Sequence, residues 1–294
     1  MFRTYLSIAG LCFQLRVRGP FDVARFRHRF GPYESPEPGP LDGELLLHVE
    51  PQGQLLVPAD VPYPGVKTYG TSEGYKMLRE GLSLWVGADG RSEGFVRGPE
   101  KIPAPSHEED GGPAETPLRL ITSLLLLRSG RGALFHACGH ADERGAILFL
   151  GQSGAGKTTL ARQLPPSSVL SDDQVALLGG PSVTLCSTPF VGVLGRTIPP
   201  RHAPLRALLL LDSDRRGEIH QLSTRQRSAA LLACLPLYAR DAVLASSALA
   251  LIDRLRAVPA FRGSFSLTEG AMPWIERIFQ LASSITERSG CARS

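Results

Sequence analysis

Residues 146–161 read AILFLGQSGAGKTTLA, and this stretch decides the fold of the chain. It begins with a wholly apolar run, as expected of a buried strand in a parallel sheet, and continues into the loop pattern G-x-x-x-x-G-K-[ST]. Residues 158–164 have helical spacing and are followed by Pro165-Pro166, where a helix must stop. The succession of strand, glycine-rich loop and helix predicts an α/β domain with a phosphate-binding loop.

The residue types in this loop specify a nucleotide as the ligand. Backbone N–H groups of such a loop surround the α- and β-phosphates, because glycines allow close approach and unusual φ/ψ angles. Lys157 is expected to reach the β- and γ-phosphates, and the Thr158 hydroxyl to bind Mg²⁺. The phosphates are expected at a helix N-terminus, where the dipole favours anions. The predicted nucleotide-binding residues are Gly151, Gln152, Ser153, Gly154, Ala155, Gly156, Lys157, Thr158 and Thr159.

Composition narrows the class of protein. The 294 residues suffice for about two domains, and 43% hydrophobic with 20% charged residues is ordinary for a soluble globular chain. A net charge of +4 with scattered arginines gives no clear nucleic-acid partner. The five cysteines are far apart and form no C-x-x-C pair, which favours reduced thiols. Without a signal peptide or a bilayer-length apolar run, we expect a cytoplasmic protein with no membrane partner.

The first 97 residues are predicted to form a smaller, β-rich α+β region without a chemical motif. Apolar runs on either side of Ala9-Gly10, and others around Asp89-Gly90, read as hairpins. Residues 21–30 have helical spacing, and residues 45–49 and 55–57 are predicted strands. The role of this region is left open.

Residues 98–115 are rich in proline, glycine and acidic side chains and are predicted to be a linker. A helix is expected to begin at Thr116-Pro117, with Thr116 as its cap, and to open the second domain, residues 116–294. That helix has apolar residues on most faces, so it should be buried. Further predicted strands lie near 133–138, 146–150, 169–170, 183–186, 207–211 and 218–221, and helices near 224–233, 242–255 and 272–283.

A carboxylate at the end of a neighbouring strand is needed to complete a Mg²⁺ shell beside the loop. Asp212 ends the apolar run 207–211 and has the pattern of a standard Walker B strand, but Ser213 stands where hydrolysing ATPases usually have Glu. The pair Asp172-Asp173 follows a shorter apolar run, only 15 residues after Lys157. Adjacent side chains point to different sides of a strand end, so one can face a metal and the other an acceptor.

Two histidines precede the loop. His136 is expected in a strand beside the loop strand, where it could pair with Asp172 and tune its basicity. His140 is expected in the following turn, solvated and without a function.

These features together resemble the HPr kinase/phosphorylase superfamily, particularly its HprK-related kinases. The resemblance is carried by "LFHA" around His136, by the loop stretch, and by "VLSDDQVAL" around the aspartate pair, and it is strong over residues 116–192. It implies that the aspartate pair, and not Asp212, is the catalytic acid site. Asp172 would be the base that takes the proton of an acceptor hydroxyl, with His136 as its partner. Asp173 would hold Mg²⁺ together with Thr158.

The acceptor side is less defined by the resemblance. Ser187-Thr188-Pro189-Phe190 is similar to a "tPF" segment of the related kinases, which implies that Thr188, Pro189 and Phe190 line the acceptor side. The glycine- and arginine-rich C-terminal signature of true HPr kinases is not found, and Arg196 and Arg201 are the nearest candidates for a phosphate clamp. HPr is therefore not the expected acceptor, and neither phosphorylase activity nor hexamer assembly is implied.

The sequence thus predicts an α/β fold whose P-loop, HPr-kinase-like C-terminal domain has a central sheet, largely parallel near the loop, flanked by helices. The predicted function is an ATP- and Mg²⁺-dependent kinase that phosphorylates a hydroxyl of a peptide, a protein or a small molecule, with Lys157 among the catalytic residues. Two alternatives stay open: a nucleotide-binding regulatory module without transfer, and a simple NTPase that uses Asp212. The sequence does not name the acceptor, decide ATP against GTP, or say whether the chain forms a homo-oligomer.

Overall fold

The computed structural model describes residues 1–36, 39–50, 66–79, 81–97, 111–190, 192, 194–195, 198–212, 218–236, 241–264 and 269–291. The chain divides into two compact units. The first comprises Met1–Gly130, Gly195–Pro199 and Leu237–Ser247, and the second comprises Arg131–Leu194, Pro200–Pro236 and Ala248–Ser294. The main division follows Gly130, so the helix Glu115–Arg128 belongs to the first unit, whereas the sequence pattern had assigned it to the second domain.

The first unit contains a mixed sheet with two helices. Its described elements are β1 (Phe2–Ile8), β2 (Leu11–Arg18), α1 (Val23–Phe30), β3 (Gly43–Glu50), β4 (Lys67–Thr71), β5 (Gly74–Arg79), β6 (Leu82–Gly87), β7 (Arg91–Arg97) and α2 (Glu115–Arg128). The strand order is β1-β2-β3-β7-β6-β5-β4. Strand β3 is parallel to both of its neighbours, and the other pairs are antiparallel. Both predicted hairpins, helix α1 and strand β3 are confirmed, while residues 55–57 lie outside the described residues.

Helix α2 is buried along most of its length, as its apolar pattern predicted. Ten of its fourteen residues are buried, among them Leu118 and Leu126, which are 0% exposed. Each buried leucine contributes about 1.5–3 kcal/mol of hydrophobic free energy. The predicted cap is wrong: the helix begins at Glu115, and Ala114 precedes it without a side-chain cap. The Glu115 carboxylate instead accepts a hydrogen bond from the Gly111 N–H, at 2.7 Å.

The second unit is a mixed sheet with helices. Its described elements are β8 (Gly132–His136), β9 (Cys138–Asp142), β10 (Gly145–Leu150), α3 (Lys157–Gln163), β11 (Val169–Ser171), β12 (Gln174–Leu178), β13 (Thr184–Cys186), β14 (His202–Leu211), β15 (Ile219–Gln221), α4 (Thr224–Cys234), α5 (Ala242–Arg254), β16 (Ala260–Gly263) and α6 (Ala271–Cys291). The strand order is β11-β9-β10-β14-β13-β12-β8, and β16 pairs with both β14 and β15. Helix α5 spans the division of the chain after Ser247.

The loop strand β10 has one parallel and one antiparallel neighbour. It runs parallel to β14 and antiparallel to β9, so the predicted largely parallel sheet is wrong on one side of the loop. All six residues of β10 are buried, as its apolar sequence predicted. Helix α6 packs against this strand, with the Trp274 and Phe149 rings stacked 6.1 Å apart. Strand β10, which leads into the predicted phosphate loop, is therefore paired on both edges and packed against α6.

The predicted single strand over residues 133–138 is two strands in the structure. The chain leaves the first of them at Ala137, whose N–H donates to the Asp173 carbonyl, at 2.9 Å. Strand β8 then pairs with β12, and β9 takes the place beside β10. His136, at the end of β8, therefore does not lie in a strand beside the loop strand, contrary to the sequence prediction.

The sequence predicts that the chain has no membrane partner, and the length and hydropathy of its helices can be compared with that prediction. None of the helices within the described residues is both long enough and apolar enough to span a bilayer.

Candidate active site

The phosphate loop needs its glycines mainly for their backbone conformation. Gly154 and Gly156 have φ angles of 83° and 98°, a left-handed region that side-chain-bearing residues rarely adopt. A Cβ atom at either position would meet no protein atom within 4 Å. The conformation, rather than crowding by the protein, therefore requires glycine at these two positions.

Lys157 is folded over its own loop. Its ammonium donates to the carbonyls of Gly151, at 2.7 Å, and Gln152, at 3.1 Å, and the residue is only 7% exposed. Burial lowers the pKa of Lys157 from its usual value, and the nearby Cys234 and Asp173 oppose that shift. Helix α3 has only seven residues. The loop amides are therefore expected to contribute more to phosphate binding than the helix dipole does.

One cleft of about 310 Å³ brings together most of the predicted site. It is lined by His136, Ser153, Gly154, Gly156, Lys157, Thr158, Thr159, Asp172, Asp173 and Gly192. The other predicted loop residues, Gly151, Gln152 and Ala155, shape the turn: the Ala155 N–H donates to the Gln152 carbonyl, at 3.1 Å, and two loop carbonyls hold the lysine. Residues of the predicted phosphate loop, two carboxylates and an imidazole therefore share one cavity.

Asp172 is held rigidly by backbone donors. Its Oδ1 accepts from the Gly192 N–H, at 2.8 Å, and its Oδ2 accepts from the Leu194 N–H, at 3.1 Å. The residue is 3% exposed. Two N–H donors, one on each oxygen, fix the plane of the carboxylate. Asp172 is therefore a pre-oriented group in the lining of the cleft.

Asp173, and not Asp172, is the partner of His136. The imidazole Nδ1 lies 2.9 Å from Asp173 Oδ1, and the two side chains are 45% and 19% exposed. The predicted pairing of His136 with Asp172 is therefore wrong. Its physical reason is the turn between β11 and β12, in which adjacent side chains point apart: Asp172 turns toward Gly192 and Leu194, and Asp173 toward the end of β8.

A buried hydrogen-bond network fixes this turn. The Ser171 hydroxyl accepts from the N–H groups of Asp173 and Gln174, each at 3.1 Å, and donates to the Phe190 carbonyl, at 3.2 Å. The Thr188 hydroxyl donates to the Gln174 carbonyl, at 2.6 Å, and accepts from the Phe190 N–H, at 3.3 Å. The network ties residues 188–190 to the backbone that carries both aspartates.

The segment Thr188-Pro189-Phe190 is therefore structural in this chain. All three residues are buried, and none is among the described residues that line the cleft. The structure does not place these residues in the cleft lining, where an acceptor side was predicted; the Thr188 hydroxyl and the Phe190 backbone are instead bonded to the aspartate turn. Arg196 lies outside the described residues. Arg201 pairs through its backbone with Ser187 and is likewise absent from the described cleft lining.

Gly192 is a further residue of the site that the sequence patterns did not single out. A Cβ atom there would lie 3.1 Å from Asp173 Cβ and 3.2 Å from Asp172 Oδ2. We expect Gly192→Ala to push the Asp172 carboxylate aside and to lower phosphoryl transfer about tenfold or more, since small misplacements of reacting groups are costly.

The Gly192→Ala experiment compares transfer rate and nucleotide affinity in the variant and the wild type. Affinity should be nearly unchanged, because the phosphate loop is not altered. Gly180→Ala is the matched control, since its Cβ would meet only the Ser182 carbonyl, at 3.4 Å. Equal transfer by wild type and Gly192→Ala would contradict the close fit at this position.

His140 is buried within the sheet and is not solvated in a turn, contrary to the sequence prediction. It lies in β9 and is 0% exposed. Its Nδ1 is 3.1 Å from the Ser168 hydroxyl, and its Nε2 is 3.4 Å from Asp142 Oδ2. It is absent from the described lining of the cleft and supports the start of β11, the strand that leads to Asp172.

Burial lowers the pKa of His140 from its usual value, although the hydrogen bond to Asp142 opposes the shift. The unfolded chain then binds a proton at this site more readily than the folded chain, so the free energy of unfolding should fall as pH drops below about 6.5. We expect His140→Gln to reduce the loss of stability between about pH 7.5 and about pH 5.5, measured by urea unfolding. His202→Gln, at an exposed position, is the control; an unchanged pH slope in His140→Gln would contradict the buried neutral form.

Asp212 stands apart from the cleft. Its carboxylate pairs with Arg262 Nε, at 2.5 Å, and its N–H donates to the Gly263 carbonyl, at 2.9 Å. Within the described part of the chain it does not line the cavity. Its position at the end of a strand parallel to β10 matches the Walker B pattern, but its side chain is engaged with strand β16.

Sequence reasoning missed Ser171, Gly192 and the Leu194 N–H, all of which hold the aspartate pair. Ser171 adjoins the pair and could have been considered as a turn residue. The other two lie about 20 residues beyond it, and their contribution is made by backbone N–H groups, which no side-chain pattern reveals. Only the pairing of distant segments brings them to Asp172.

Comparison of the chain with protein-family models and with curated proteins finds no match. The function is therefore inferred from the motif and from the geometry of the cleft.

Proposed function

We propose that this chain is an ATP- and Mg²⁺-dependent kinase of the HPr-kinase-like type, which transfers the γ-phosphoryl group to a hydroxyl. The observation that carries the proposal is the shared cleft: residues of the phosphate loop and the pair Asp172-Asp173 line the same cavity. A loop alone would support nucleotide binding. A fixed carboxylate beside the place of the phosphates supports group transfer as well.

Each side chain has a proposed role. Lys157 and the loop amides would stabilise charge on the β- and γ-phosphates. Asp172 would orient the acceptor hydroxyl and take its proton, since its carboxylate is held in one orientation by two N–H groups. Asp173 and the Thr158 hydroxyl both line the cleft and would serve as oxygen ligands.

The donor set fits Mg²⁺ bound together with a nucleotide. The described residues contain no group of three or more His, Cys, Asp or Glu residues that could hold a metal by themselves. Mg²⁺ at nucleotide sites needs only one or two protein oxygens, because phosphates and water supply the others. When bound, the ion would neutralise charge that develops on the phosphates. The Nδ1–H of His136 would orient Asp173, as outer-shell donors commonly orient metal-binding carboxylates.

One observation favours the alternative of a nucleotide-binding module without transfer. Asp172 is 3% exposed, and both of its oxygens already accept hydrogen bonds, so an acceptor must approach a nearly enclosed group. The simple NTPase that relies on Asp212 is less well supported, since that carboxylate is paired with Arg262.

The test follows the γ-phosphate of labelled ATP, with Mg²⁺, into a cell extract that is then divided into protein, peptide and metabolite fractions. Wild type and Asp172→Asn are run side by side. Label that enters one fraction with the wild type alone would establish a kinase and its acceptor class. Nucleotide binding without label in any fraction, across extracts from several sources, would favour the regulatory module.

A further inference from the structure

The proposed direct transfer leaves one reactive atom in the cleft without a role, Nε2 of His136. The ring is 45% exposed and lines the same cavity as Lys157 and Thr158. Its Nδ1 is engaged by Asp173. Nε2 has no hydrogen-bond partner among the residues that the structure describes.

The Asp173 contact decides the tautomer of His136. A carboxylate accepts hydrogen bonds, so Nδ1 must carry the ring proton. Nε2 is then the ring nitrogen that can offer a lone pair to a ligand in the cleft. The backbone of His136 is also fixed beside the aspartate turn, since β8 pairs His136 with Gln174 and the Ala137 N–H donates to the Asp173 carbonyl. An imidazole with one nitrogen anchored by a carboxylate, in a ring that lines a predicted phosphate site, is oriented to act as a nucleophile through its other nitrogen.

Other described histidines do not share this arrangement. Both ring nitrogens of His140 are engaged within the sheet. His48 and His220 each pair with a glutamate, and none of His28, His48, His202 and His220 lines the cleft. The combination of a carboxylate partner, a free Nε2 and a place beside the phosphate loop belongs, within the described chain, to His136.

We propose that His136 is a phosphorylation site that the chain modifies by itself, with ATP as the phosphoryl donor. This inference rests on the proposed binding of ATP. The Nε2 lone pair forms a bond to the γ-phosphorus, and the bond from that phosphorus to the β,γ-bridging oxygen breaks, so that ADP leaves with the bonding electron pair. The Nδ1 proton stays on the ring. The positive charge that the ring gains is balanced by the Asp173 carboxylate, which accepts the Nδ1–H bond.

Purified full-length protein is incubated with γ-labelled ATP and Mg²⁺ without any acceptor. We expect label on the protein that is lost in acid and kept in alkali, because a phosphorus–nitrogen bond to imidazole is hydrolysed in acid. His136→Asn should lose the label: its amide N–H can still donate to Asp173, but Nε2 is removed. His220→Asn is the matched control, because that exposed histidine also pairs with a carboxylate, and it should keep the label.

A second measurement detects a phosphohistidine that is too short-lived to isolate. It follows the label of adenine-labelled ADP into ATP in the absence of an acceptor. Exchange by wild type and His220→Asn, but not by His136→Asn, would support a transient phosphohistidine. Acid-stable label, or label and exchange that persist in His136→Asn, would overturn the inference and leave the kinase proposal intact.

Binding of a fluorescent ATP analogue, measured on the same proteins, separates the two proposals. Bound nucleotide with neither label nor exchange overturns the histidine proposal alone. Failure of the wild type to bind nucleotide overturns both.

Discussion

Lys157→Ala is expected to abolish most of the activity of this protein. Its ammonium is the proposed cation of the phosphate loop and is held over that loop by two loop carbonyls. Loss of a preorganised group that stabilises transition-state charge costs roughly 10²–10³-fold in rate. Nucleotide affinity should fall as well, because the same charge binds the phosphates of the ground state.

Thermal unfolding with and without Mg-ATP gives a readout for Lys157→Ala that needs no acceptor. A ligand at about 100 times its Kd stabilises a folded protein by about 2.7 kcal/mol, so the wild type should melt at a higher temperature with nucleotide. The variant should show little of this shift while remaining folded. Arg162→Ala is the control, since Arg162 is exposed in the last turn of the same helix. A full ATP-dependent shift in Lys157→Ala would refute the phosphate-loop assignment.

Asp172→Asn is expected to separate transfer from binding. If Asp172 takes the proton of the acceptor, its amide cannot do so, and transfer should fall by about 10²–10⁴-fold, the usual contribution of a general base. Nucleotide affinity should stay nearly intact, because the loop and Lys157 are untouched. Transfer is measured with labelled ATP, and affinity with the fluorescent analogue.

The structure also predicts a secondary cost for Asp172→Asn. Both carboxylate oxygens accept a backbone N–H, so an asparagine must place its NH₂ group against one of these donors. The unpaired donor should cost about 1–3 kcal/mol of stability, and urea unfolding must accompany the kinetic measurement. Asp212→Asn is the matched control and should retain transfer. Full phosphoryl transfer by Asp172→Asn would contradict the assignment of Asp172 as the base. Loss of turnover in Asp212→Asn would favour the simple NTPase.

Local patterns predicted the elements near the loop well. Strand β10, helix α3 and the short strand β11 follow from an apolar run, a glycine-rich loop and proline stops that are contiguous in sequence. The same holds for the hairpins of the first unit, where turn residues such as Asp89-Gly90 set the register locally. Four described strands, β4, β5, β12 and β16, were not predicted, since brief runs beside turns do not reveal their pairing partners.

Pairing of distant segments accounts for most of the errors. The split of residues 133–138 into β8 and β9 depends on Ala137 bonding to the Asp173 backbone, a contact between residues 36 positions apart in the printed sequence. Because of this split, His136 meets Asp173 instead of Asp172, and His140 enters the sheet. The same split places β9 antiparallel beside β10, where the sequence predicted a largely parallel sheet.

The sequence by itself determined the strand–loop–helix unit, the place of its lysine and the nearness of an aspartate pair, because these depend on residue types at fixed short spacings. Only the tertiary structure decided which aspartate meets His136, why Thr188 and Phe190 are scaffold, and how Gly192 and Leu194 hold Asp172. The physical reason is that these contacts are made largely by backbone groups and by the direction of adjacent side chains at one turn. Both are fixed by the pairing of strands that lie far apart in the chain.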